Sequence, residues 1–236
     1  MTTATRAWLA YDGRLSRVLL AVFWYFTVSV QFLATALPFA AADHASGGRL
    51  THAAIWIGAL AAIPIGPGGY AALRCMRLSL AGPGYPGRPF RRFWTAWAEG
   101  WKRLWRLWTG AAAIGLLLAY NAVLYGGGDA AFIAIAAVAA LMAVALIAAS
   151  SAALALDGDG PALAVLTAGL RAAVRRPHAP AAWLALVALA YGAAQLPVIG
   201  ANLTLFTPAA CAAAILIVNA ATGFDQSAAG SKAPTP

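Results

Sequence analysis

Few residues in this 236-residue chain could carry chemistry, and their spacing does not favour it. There are three histidines and two cysteines. His44 and His52 stand eight apart with no third ligand nearby, and His178 follows Pro177 in a basic stretch. Cys75 and Cys211 are far apart, at neither zinc nor disulfide-framework spacing. The seven acids form no paired-carboxylate motif, and the chain has no nucleophile elbow, phosphate-binding loop or dinucleotide fingerprint. The sequence therefore nominates no catalytic residue, no metal ligand and no cofactor, and it reads as a non-enzyme.

The most pointed stretch is Pro64, Gly66, Pro67, Gly68, Gly69 and Tyr70. Proline removes backbone donors and kinks a helix, which frees carbonyl oxygens. Inside a membrane such groups must be buried in protein or line a cavity, and transporters hold substrates at breaks of this kind. The alternative is a kink closed by tight packing through Gly68, Gly69, Ala71 and Ala72. Pro197 and Pro208 mark further interruptions. Gln31, Asn121, Ser150, Ser151, Gln195 and Asn219 are polar residues in apolar surroundings. They suit helix-to-helix hydrogen bonds, each worth about 0.6 kcal/mol on average. No charged residue falls centrally in an apolar run, which argues against a proton-driven pump.

The elements that must position these residues are read from composition. The chain is 62% hydrophobic and 10% charged, against about 25% charged in soluble domains. Its mean hydropathy is +0.76. Apolar runs near 20 residues are membrane-span candidates, because the hydrocarbon core is about 30 Å thick. They lie at about 18–42, 51–73, 107–125, 130–156, 181–199 and 203–221. The expected fold is an all-α polytopic bundle of about six spans in one domain, 18–221. A cytoplasmic segment (1–17) precedes it and a disordered cytoplasmic tail (222–236) follows. The first run exceeds the roughly 7–15 residues of a signal h-region, so span one reads as retained. Fifteen of the sixteen basic residues then fall on one side, with only Arg49 on the other. The positive-inside rule puts both termini in the cytoplasm.

Before the third run stands PFRRFWTAWAEGWKRLWRLWTG, Pro89 to Gly110. On a helix at 100° per residue, Phe90, Phe93, Trp94, Trp97, Trp101, Trp105 and Trp108 share one face. Arg91, Arg92, Lys102, Arg103 and Arg106 share the other. A nucleic-acid stacking platform would mix aromatics and cations on one face. Their segregation points instead to an amphipathic interfacial helix over 89–106, with tryptophans at headgroup level and cations toward anionic lipid. The same stripe also suits packing against the ends of other spans. A second short basic helix, LAVLTAGLRAAVRR, is expected between spans four and five.

Three segments carry a family resemblance: AAIPIGPGGYAALRCM (Ala61 to Met76), FRRFWTAWAEGWKRLWRLW, and more loosely LALDGDGPALAVLTAGLRAAVRRP. In this layout the chain resembles the YesL-like family of bacterial integral membrane proteins, over roughly Arg14 to Ala221. It departs in its high alanine content and in Gly66-Pro67, where family members often carry hydroxyl residues. The resemblance implies a protein of the bacterial cytoplasmic membrane, associated with uptake of plant-polysaccharide oligosaccharides. It brings no established activity. The expected function is a non-catalytic accessory or scaffold of an uptake system; the alternatives are a small-solute transporter or channel using the broken second span and, third, a membrane enzyme, which would need an acid or histidine cluster on one face. The expected partners are a bilayer with anionic headgroups and a membrane permease or further copies of the chain, not nucleic acid.

Overall fold

The computed structural model describes residues 14–47, 51–82, 85–125, 128–156, 161–197 and 199–229. Among these the fold is an all-α bundle of ten helices with no strand. Four helical stretches are long and apolar enough to cross a membrane: Leu15–Ser46, His52–Leu80, Pro89–Tyr125 and Ala130–Leu156. They correspond to the first four expected spans.

Helix α1 (Arg14–Ser46) runs unbroken through Pro38. The second span is two helices, α2 (His52–Ala62) and α3 (Ile65–Leu80), separated at Ile63-Pro64. Thr51 caps α2, its hydroxyl accepting from the Ala54 amide at 3.2 Å. Helix α4 (Pro89–Tyr125) joins the aromatic-basic segment and the third span without a break. Its 37 residues extend about 55 Å, well beyond an apolar core of about 30 Å. Helix α5 (Asp129–Leu156) returns. The expected second basic helix is α6 (Ala162–Arg175), opened by Pro161 and closed before Pro177.

The last two expected spans are shortened. Helix α7 (His178–Ala194) has 17 residues and α9 (Thr207–Thr222) has 16, joined through the five-residue α8 (Gly200–Thr204). At about 1.5 Å per residue each reaches about 25 Å. Pro197 stops α7, because the residue before a proline is pushed out of helical geometry. Pro208 sits in the first turn of α9, where its missing N–H costs nothing. Gly223, with φ +67°, ends α9 in the left-handed region that glycine adopts freely.

The expected disordered tail is corrected at its start. Phe224–Ala229 forms a short helix, α10. Phe224 and Ala228, one turn apart, are both buried. The Phe224 ring meets Trp183 edge-on, with centroids 4.9 Å apart. Residues 230–236 lie outside the described residues.

The largest buried side chains are Trp24, Trp183, Tyr70, Phe93 and Phe224, all toward the basic end of the bundle. Buried polar links tie the helices there. The Trp183 indole donates to Asn219 at 3.0 Å, and the Asn219 amide donates to Ser151 at 3.0 Å, joining α7, α9 and α5. Farther from that end, the Ser29 hydroxyl accepts from the Ala209 amide, in the first turn of α9, at 3.0 Å. Arg77 donates to the Leu154 carbonyl near the end of α5. Below these links, burial pushes the Asp225 carboxyl on α10 above its usual range, while Arg77 pulls it back. A carboxyl raised in the folded state favours docking most fully below its unfolded value and loses that contribution as pH rises through the raised one. Amide exchange over 224–229 is therefore expected to speed up as pH climbs out of the carboxylate range, after correction for intrinsic exchange. In Asp225→Asn that pH dependence disappears.

Candidate functional site

The break between α2 and α3 is closed by hydrogen bonds. The Ile63 amide reaches back to Leu60 O at 3.3 Å, and Gly66 to Ile63 O at 3.3 Å. The carbonyl of Pro64 accepts twice, its helical bond from the Gly68 amide at 3.2 Å and a second from the Trp97 indole at 3.2 Å. Trp97 therefore caps a helix break in the neighbouring span, a role its place in an aromatic stripe did not disclose.

The small residues of the motif split by function. A Cβ on Gly66 would lie 2.5 Å from the Trp108 ring, and one on Gly68 would strike the Thr35 hydroxyl. Both glycines are packing notches. Gly69 meets nothing within 4 Å, and its open side faces a cavity. Pro67 and Tyr70 are buried. One turn beyond the notch at Gly66, the Tyr70 ring fills a second notch at Gly100, where a Cβ would lie 2.6 Å away.

Tyr70 also belongs to a polar cluster that joins α3 to α4. Its hydroxyl donates to Glu99 at 3.2 Å and accepts from Arg103 at 3.4 Å. Arg103 pairs with Glu99 at 3.3 Å, and Arg74 from α3 forms a second ion pair with Glu99. Arg103 therefore turns toward the bundle, unlike Arg91, Lys102 and Arg106, which are exposed. Arg92 donates to the Gly87 carbonyl at 3.0 Å, and Arg106 lies over the Trp105 ring at 5.6 Å.

The expected aromatic face is divided lengthwise. Phe93 and Trp108 are core residues, buried with Ala96, Gly100 and Leu104 against the bundle. Trp94 and Trp97 are half-buried, and Trp97 stacks on Trp101 with centroids 5.6 Å apart. Phe90, Trp101 and Trp105 are exposed. The packed half and the open half are about 60–120° apart around the helix.

The cavity has a volume of about 860 Å³. It is walled by α1 to α5, α7 and α9, and eleven alanines and four glycines are among its thirty-five lining residues. Gly66, Gly69 and Trp108 lie in its wall beside the helix break. Asp43 and Ser46 lie toward its other end, at the close of α1. Two other hydroxyls in its wall are internally used: Ser150 donates to Leu146 O at 2.7 Å, and Thr207 to Leu203 O at 2.7 Å; Tyr191, 71% exposed, also borders it.

The remaining candidates are scattered. Among the described residues no three metal-ligating side chains gather. The His52 ring lies 3.1 Å from the Tyr120 hydroxyl, linking α2 to α4. Cys75 is buried and Cys211 lines the cavity. Gln31 and Asn121 donate within their own helices, to Thr27 O and Leu117 O. Gln195 is exposed at the end of α7. No family model, curated protein or solved structure matches the chain.

The two classes of glycine give opposite expectations. Gly68→Leu must displace Thr35 and the α1–α3 contact, so its melting temperature in detergent falls steeply. Gly69→Leu projects into open space and melts near wild type. Trp97→Phe keeps an aromatic ring but removes the second bond on the Pro64 carbonyl, which still accepts from Gly68, so it costs about 0.5–1.5 kcal/mol. Equal melting of Gly68→Leu and Gly69→Leu would contradict this assignment.

Proposed function

We propose that the chain is a multi-pass protein of a bacterial cytoplasmic membrane, with both termini and the basic connections on the cytoplasmic side. It acts as a non-catalytic accessory component of an uptake system. The side assignment follows from the basic residues. It holds whether α7 and α9 cross fully or form a re-entrant hairpin, because either arrangement returns the chain to the same side.

The observation that carries the accessory reading is the surface at the basic end. There α4 and α6 each bury one face in the bundle and leave a second apolar line exposed. On α4 that line is Phe90, Trp101 and Trp105; on α6 it is Leu163, Leu170 and Val174, the last 81% exposed. Arg91, Lys102 and Arg106 flank the first line, and Arg171 and Arg175 the second. Aromatic and aliphatic lines edged by cations suit an anionic headgroup layer, where each basic residue contributes up to about 1 kcal/mol. They also suit a membrane partner resting on that layer. The link to carbohydrate uptake comes from the resemblance in layout alone. The largely apolar cavity does not suit a sugar, so transport of one would belong to the partner.

Cross-linking in native membranes followed by mass spectrometry is expected to recover a stoichiometric permease, with cross-links on the exposed faces of α4 and α6. The purified chain in liposomes is expected to pass no oligosaccharide. Recovery of the chain alone or only with itself, or sugar flux without a partner, would overturn the accessory reading.

A further inference from the structure

We infer that the cavity between α1 to α5, α7 and α9 is a binding site for the acyl chain of a bilayer lipid, whose polar end lies toward Asp43 and Ser46. The inference rests on the bilayer reading above but not on the accessory role.

Four observations carry it. The volume of about 860 Å³ falls within the range of about 300–1,000 Å³ common to small-molecule sites. It is large because alanine and glycine line it, not because a long side chain has been withdrawn. Gly69 and Gly115 both face it with nothing within 4 Å of a Cβ.

The polarity of the wall selects the guest. Ser150 and Thr207 spend their hydroxyl protons on carbonyls of their own chain at 2.7 Å each. A guest with many hydroxyls would lose its water and regain few hydrogen bonds, which is costly. Asp43 and Ser46 mark one end, so the wall matches a molecule with one polar terminus and a long apolar body.

The hairpin of α7 and α9 supplies the way in. At about 25 Å it falls short of an apolar layer of about 30 Å. Tyr191 near the end of α7 and Thr207 and Pro208 at the start of α9 border the cavity. The turn between them exposes Leu196, Ile199, Leu203 and Phe206. Exposed apolar residues at a tip inside the bilayer face hydrocarbon. The space left by the short hairpin therefore meets lipid chains, and a chain of the surrounding lipid is the guest at hand.

A phospholipid carrying a photoactivatable diazirine near the end of one acyl chain tests this in reconstituted membranes. Irradiation is expected to give adducts on the cavity wall, around Cys211 on α9 and Ala111 to Ala119 on α4. Adducts are also expected on the outward-facing Phe132 and Leu141, which are 67% and 70% exposed. Gly69→Leu combined with Gly115→Leu fills the cavity, and only the wall adducts are expected to be lost. Gly110→Leu, on an open face of α4, keeps them. Native mass spectrometry of wild type in mild detergent gives a second readout that needs no variant, with retained phospholipid expected. Adducts confined to Phe132 and Leu141 would overturn the site while leaving the bilayer reading intact. Wall adducts from a free fatty-acid probe but not from the phospholipid would overturn the bilayer lipid as guest. No adduct at any position would sink the bilayer reading itself.

Discussion

The bundle depends on how α3 and α4 lock together across the proline break. The two helices run antiparallel and exchange notches. Gly66 receives the Trp108 ring, and one turn later Gly100 receives the Tyr70 ring. One further turn brings Arg74 to Glu99. Beside the notches, Trp97 donates to the Pro64 carbonyl, which also accepts its helical bond from the Gly68 amide. In an apolar layer an unpaired carbonyl costs several kcal/mol. The break can stand in such a layer because the Leu60 and Ile63 carbonyls are each taken up by the amide three residues on, and the α4 indole adds a bond from outside the span. Sequence, backbone geometry and packing meet at that one junction.

The junction also divides the molecule. Toward the basic end, Trp24, Tyr70, Phe93 and Trp183 fill the space, and the Arg74–Glu99–Arg103–Tyr70 cluster ties the helices by charge. Toward the other end, alanine and glycine leave the space open, and the hairpin of α7 and α9 stops short. Large residues near the break and small ones beyond it thus produce a closed half and a hollow half. The closed half carries the basic residues and the exposed aromatic flank, and the hollow half carries the cavity. The functional reading follows that division, with surface attachment at one end and an apolar guest at the other.

Much of this was legible in the residues. The four long spans follow from apolar run length, and the face of the aromatic segment follows from helical periodicity. The helix does break at Ile63-Pro64, and of the motif that follows Gly66 and Gly69 lie in the cavity wall. What was not legible has a common cause: bundle interior and lipid select the same side chains. Phe93 and Phe90 share one helical face, yet one is buried and the other 65% exposed. Nothing in their chemistry separates them until α3 is placed alongside. Arg103 reads as one of the lipid-facing cations, since its partner on α3, Tyr70, is 33 residues away. The tail was misread at Phe224, where one aromatic finds Trp183 and turns a small polar stretch into a docked helix.

The central claim is a one-sided bundle held across a membrane, and cysteine accessibility tests it most directly. In a background with Cys75 and Cys211 replaced by alanine, single cysteines are placed at Ser46, at the far end of the cavity, and at Thr95, on the exposed basic face of α4. An impermeant thiol reagent is applied to intact cells and then to permeabilised ones. The account predicts that Ser46→Cys reacts in intact cells and Thr95→Cys only after permeabilisation. Labelling of both before permeabilisation, or of Thr95→Cys alone, would contradict it.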